Sequence, residues 1–255
     1  MRHVPTLLAR ELNAYFLGPM AYLVLLAFQF IAFLNFWELV EALSRPQGEY
    51  SSLRDPMNRY IAESTPFWLA ILIAIPALTM RLLAEEKRSG TIEPLLTAPV
   101  TEGEIVVSKW LAGMIMYGAL LIPFALYLPF LYYQADFHFD PGPILSLGVG
   151  LTTMGMMFVA VGVFFSAVTR NQVVAAIWTF VALFLMVVVT HLLAFYFAGR
   201  RQTSLVDAAR HVAILDQMRS FALGRFDLRT IALHLSVCVF VLFATTTIFA
   251  ARRGR

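Results

Sequence analysis

The sequence has one cysteine and only two lysines, and it is poor in charge of either sign. Each shortage excludes something. Cys238, alone in an apolar run, can form neither an intramolecular disulfide nor a cysteine-based zinc site, and it reads as a small buried hydrophobe. Neither Lys87 nor Lys109 follows a glycine or precedes a serine or threonine, so the chain has no phosphate-cradling loop of the form G-x-x-x-x-G-K-[ST]. H-E-x-x-H is absent, the 5 histidines are scattered, and no Ser–His or paired-Asp constellation sits at helical spacing, which argues against a metal site and an intramembrane enzyme. Charged residues make up 14% of the 255, against roughly 25% in soluble domains. With 60% hydrophobic residues and a mean hydropathy of +0.74, a water-soluble globule is excluded. The net charge of +3 is small and dispersed, so no nucleic-acid partner is implied.

What the chain does have is long uncharged runs. A helix needs about 20 apolar residues to cross the hydrocarbon core, and six stretches qualify. They are Gly18 to Trp37, Thr65 to Met80, Trp110 to Ala135, Pro141 to Thr169, Asn171 to Gly199 and Thr230 to Ala251. The second is short, but Arg81 can snorkel to the interface and let Leu82 to Ala84 extend it. Prolines 76, 123 and 129 fall inside spans and mark expected kinks. The first span starts too late and runs too long for a signal-peptide core, so it reads as a retained helix. No internal repeat or second domain is visible, and residues 1–255 read as one polytopic unit.

An even number of spans puts both termini on one side. A cytoplasmic N-terminus leaves 10 basic residues inside and 9 outside, a balance that decides little by itself. Both lysines and the C-terminal Arg252-Arg253-Gly254-Arg255 favour the N-in arrangement.

Three segments between spans carry pattern. In residues 1–17, Val4, Leu7, Leu8 and Leu12 share a helical face with Arg10 and Glu11 on the other side, which predicts an interfacial helix; whether it only anchors the chain or does mechanical work stays open. The connection 81–109 is the most charged part of the chain. In it Ser89-Gly90-Thr91 offers a helix stop and restart, Ile92, Leu95 and Leu96 share a face, and Thr101-Glu102-Gly103-Glu104 reads as a capping box. A solvated charged loop is the alternative there. From 200 to 229 the chain is polar yet periodic, with Ile214, Met218, Phe221 and Ala222 at helical spacing and Gly224 placed to end the run, which predicts an external interfacial or re-entrant helical pair.

The run Glu85 to Thr101 resembles the signature of ABC-2-type transporter permeases: an acidic-basic stretch, Gly90-Thr91, an aliphatic residue, Glu93, Leu95-Leu96, and Ala98 before Pro99. Arg10 to Tyr22 and Gly224 to Arg229 are similar to the gliding-motility-associated branch of that family. The resemblance implies an all-α polytopic membrane protein with six transmembrane helices, an N-terminal interfacial helix, a cytoplasmic coupling helix and short external re-entrant helices before the last span. It further implies that the coupling helix sits in a cleft of a separate ABC-type ATPase subunit, with Glu86, Gly90, Thr91, Ile92, Glu93, Leu95 and Leu96 as the contact. On that reading ATP and Mg bind the partner, this chain needs no cofactor of its own, and a second permease chain, identical or different, completes the path in a prokaryotic cytoplasmic membrane. An apolar ridge with a glutamate at its start suits a groove through which one subunit drives another.

Other classes fit less well. A secondary transporter would place carboxylates near mid-membrane, whereas Glu38 and Glu41 lie at a helix end, and His191 and His234 read as packing residues. A scaffold doing mechanical work with an accessory envelope protein would not need the ordered 81–104 element. Met154, Met156 and Met157 beside Gly155 could suggest soft-metal handling, but a core role fits them better. Gly148, Gly155 and Gly162, spaced by seven, predict a small-residue face for close helix packing.

Overall fold

The protein, described here from a computed structural model, is resolved for description at residues 3–44, 58–90, 100–134, 141–199 and 203–253. Helix α1 is Val4–Leu17, and Gly18, in extended conformation, separates it from α2, Pro19–Ser44. A π-helical turn, Asn58–Ala62, precedes α3, Thr65–Thr79, and α4, Arg81–Ser89, which together form the second span. Helices α5, Glu102–Gln134, and α6, Pro141–Val168, follow. The fifth span is built from α7, Gln172–Phe184, a π-helical stretch Leu185–Val189, and α8, Thr190–Gly199. The short pair α9, Thr203–Val212, and α10, Ile214–Ala222, leads to α11, Leu228–Arg253. Six helices are long and apolar enough to cross a membrane, and all described elements are helical, so the chain is an all-α polytopic membrane protein.

Local signals start and stop these helices as their residue types require. Asn171 Oδ1 accepts from Val173 N at 2.9 Å, and Ser64 Oγ accepts from Phe67 N at 3.2 Å, each capping a span that follows. At the capping box, Thr101 N donates to Glu104 Oε2 at 3.1 Å and Glu104 N donates back to Thr101 Oγ1 at 3.3 Å. Gly90 and Gly224 close α4 and α10 with φ of 75° and 79°, a region that side chains disfavour.

Helix α6 is the centre of the molecule, packing on α3, α4, α5, α7, α10 and α11. Small residues make this possible. A Cβ on Gly155 would overlap the Tyr117 ring of α5, and one on Gly162 would overlap Thr79 of α3. One turn beyond Gly162, Ser166 Oγ donates to Met80 O and accepts from Leu83 N and Ala84 N, each at 3.0 Å. It thereby satisfies the backbone where α3 gives way to α4, four residues after Pro76 has removed one helix donor. Of the expected glycine face, Gly148 meets open space. Gly150, outside the seven-residue spacing, abuts Phe221 of α10.

Gly155→Ala should therefore destabilise by roughly 1–3 kcal/mol, since Tyr117 is held in place by its hydroxyl donating to Leu151 O at 2.9 Å. Gly148→Ala, inside the helix with nothing among the described residues within 4 Å of the added Cβ, should be neutral or stabilising by up to about 1 kcal/mol. Thermal midpoints of the two variants in one detergent check the contrast, and equal midpoints would refute the packing described.

Two expectations need correction. Two span bounds move: the second span's helix continues to Ser89 rather than Ala84, and α5 begins at Glu102, eight residues before Trp110, at the stop and the capping box expected there. Of the charges that suggested a loop, Glu86 and Lys109 pair with one another inside the fold, whereas Glu85 and Arg88 stay exposed. In α1, Glu11 does not face away from the core; it is 9% exposed, alongside Tyr15 at 2%. The buried stripe runs along positions 4, 7, 8, 11, 12 and 15, and it takes in Glu11 because a cation waits beneath it.

Candidate functional site

At one end of the bundle lie α1, the end of α4 and the start of α5. Residues 91–99 leave from Gly90 and return at Val100, and they lie outside the described residues; so do Thr91, Ile92, Glu93, Leu95 and Leu96 of the expected contact. Glu86 and Gly90 are inside them, at the root of that segment.

Lys109 is the centre of the root. Its side chain is 2% exposed, and its Nζ lies 3.0 Å from Glu11 Oε1 and 2.9 Å from Glu86 Oε1. Arg10 Nη2 approaches the same two oxygens at 3.0 and 2.9 Å, from a half-exposed position. Two cations and two carboxylates thus close a neutral cluster drawn from α1, α4 and α5. A buried charge is tolerated only beside opposite charges, and Lys109 has two within ion-pair distance, while Glu86 Oε2 is left without a hydrogen bond among the described residues. Glu86 therefore turns toward Lys109 and Arg10.

A second set of contacts holds the end of α1. Arg81, at the start of α4, lies 4.3 Å over the Tyr15 ring and donates to Ala14 O at 2.9 Å. Tyr15 donates to Leu78 O at 2.6 Å, and burial pushes its phenol well above the usual range, so the hydroxyl remains a donor. At the start of α1, the His3 N–H reaches Glu104 Oε1 at 3.5 Å. Between α1 and α4 lies a cavity of about 500 Å³ bordered by Glu11, Tyr15, Arg81, Glu85, Glu86 and Lys109.

The opposite end is polar in a different way. Asn35 donates to Tyr60 O at 2.7 Å and accepts from Ser64 Oγ at 2.7 Å, beside a recess of about 430 Å³. Helix α10 is held there by Arg219 to Glu63 at 2.8 Å and by Ser146 Oγ donating to Phe221 O. Below it, His234 of α11 has Gln217 Oε1 at 2.9 Å from Nε2 and Thr153 Oγ1 at 3.1 Å from Nδ1. Both ring nitrogens are satisfied, which is a packing role. His191 Nδ1 sits 4.0 Å from Asp216 Oδ2 of α10. Among the described residues no group of three or more His, Cys, Asp or Glu could hold a metal ion.

Sequence reasoning missed the Glu11–Lys109–Glu86 cluster. The one available signal was a lysine and two glutamates adjoining predicted spans, in segments 75 and 98 residues from Glu11 at position 11. Nothing local pairs them.

The arrangement is a charged, buried cluster that joins α1 to the two helices flanking residues 91–99. No curated protein matches the chain. A family model described as ABC-2 family transporter protein matches residues 15–222, from the end of α1 through α10. With six membrane-crossing helices and a match over most of its length, this chain belongs to the ABC-2 family of transporter proteins, the membrane components of ABC transporters.

Proposed function

We propose that this chain is the transmembrane permease subunit of an ABC exporter, with ATP hydrolysed on a separate ABC-type ATPase subunit and force received through Gly90 to Leu96. Two permease chains and two ATPase chains form the working unit, in a prokaryotic cytoplasmic membrane with both termini cytoplasmic. Arg10 to Tyr22 and Gly224 to Arg229 favour the gliding-motility-associated branch. The observation that carries this reading is the built root of the 91–99 segment. Gly90 ends α4, the Thr101–Glu104 box opens α5, and a buried ion cluster ties the two helices together, as a force-bearing loop requires. ATP binding that closes the ATPases would tilt both roots and open the path between permease halves.

The test is purification of the tagged chain from its native membrane. An ABC-type ATPase should co-purify, and the preparation should hydrolyse ATP. Stripped of that subunit, the chain should neither bind nor hydrolyse nucleotide, and turnover by the isolated chain would refute the division of labour. In a Cys238→Ala background, single cysteines near positions 50 and 210 should react with an impermeant thiol reagent on intact cells, whereas those near 90 and 253 should not. The reverse pattern would invert the topology.

A further inference from the structure

We infer that Lys109 is a positioning residue which makes α1 a strap across both roots of the 91–99 segment, so that movement of the roots is carried into the first span. The inference rests on the coupling role proposed above and adds the route by which force leaves the coupling segment.

The geometry has three parts. First, Lys109 on α5 joins Glu86 on α4 at 2.9 Å and Glu11 on α1 at 3.0 Å, so one buried cation bonds both roots to the same turn of α1. Arg10, next in sequence to Glu11, reaches Glu86 at 2.9 Å and doubles the link. Second, the start of α1 reaches the start of α5 through His3 N and Glu104 Oε1 at 3.5 Å, and its end is fixed to α3 and α4 by Tyr15, which bonds Leu78 O, and by Arg81, which bonds Ala14 O. The helix is thus held near its start, middle and end by the elements that flank the segment. Third, α1 passes to α2 through Gly18 alone, with no loop between to absorb displacement. An added Cβ on Gly18 would lie 3.0 Å from Arg81 Nη1, so the joint is closely packed. A helix that only floated in the interface would direct its charges to water. Here the carboxylate of Glu11 is turned inward and spent on a lysine that is itself sealed from solvent.

The strap predicts that α1 follows the roots only while the cluster is charged. Lys109→Met alone leaves two carboxylates short of a cation and can fail to fold. The informative variant is therefore Lys109→Met/Glu11→Gln/Glu86→Gln, which keeps the shapes, strands no buried charge and leaves only the half-exposed Arg10 charged. In a Cys238→Ala background, an environment-sensitive fluorophore is placed on the exposed positions Asn13→Cys, on α1, or Glu85→Cys, on α4, in the ATPase complex in lipid nanodiscs. ATP with vanadate is the trigger.

In the otherwise native complex both labels should respond. In the triple variant the Glu85 label should still respond while the Asn13 response is lost, and Lys109→Arg should retain both. A full Asn13 response in the triple variant would overturn the inference and leave the coupling reading standing, because the cluster would then be structural only. A native complex in which neither label responds, or in which no ATPase is bound, would refute the coupling reading and this inference together.

Discussion

Replacing Lys109 with methionine is expected to lower the stability of the protein by about 3 kcal/mol, the lower end of what breaking a buried ion pair costs. The side chain is 2% exposed, and Glu11 and Glu86 are 11% and 16% exposed, so water can do little for the carboxylates left behind. The cost is held to the lower end because Arg10 still reaches both at 3.0 and 2.9 Å, although from a position 52% exposed. Adding Glu11→Gln and Glu86→Gln should return most of the lost stability, since no buried charge is then stranded and the one charge left, on Arg10, is 52% exposed and reaches water. Thermal midpoints in detergent, compared for the single and triple variants, check both statements. An unchanged midpoint for Lys109→Met would show that the cluster is solvated and that the description of the root is wrong.

The second large effect is expected in the segment 91–99. Leu95→Ser/Leu96→Ser removes two aliphatic side chains, each worth roughly 1.5–3 kcal/mol when fully buried, and should abolish co-purification of the ATPase. Membrane insertion and abundance should stay at native levels, because every span is untouched. Glu93→Lys should weaken the same contact by several kcal/mol where the carboxylate is desolvated against the partner, and by well under about 1 kcal/mol where it is solvated. Pull-down of the ATPase at native levels by both variants would remove this segment from the transmission path. The effect on the chain's own thermal midpoint separates the two sites: Lys109→Met lowers it without the partner present, whereas the leucine pair does not.

The number of spans and the ends of several helices were legible in residue order. An uncharged run of about 20 residues has one solution in lipid, an internally hydrogen-bonded helix, and six such runs became six long apolar helices. Gly90, Gly224 and the Thr101–Glu104 box act on backbone groups at most a few residues away, so their spacing alone announced them. The helical pair before the last span followed from periodicity in a polar stretch, where an apolar stripe has something to contrast with.

Which span meets which was decided only in three dimensions. Within lipid a transmembrane helix is apolar on every side, so its pattern does not say which face is covered, and small residues and stray polar groups choose the neighbours instead. That is why the even spacing of Gly148, Gly155 and Gly162 overstated the first and passed over Gly150, whose neighbour Phe221 lies on a separate helix. It is also why Ser166 gave no hint that it would satisfy the helix break after Met80. The same holds at the candidate site. Glu11 and Lys109 each looked like a solvated charge beside a span and Glu86 like a contact to the partner subunit, and only their convergence from three helices allows all three to leave water, since the burial of any one is offset by the other two.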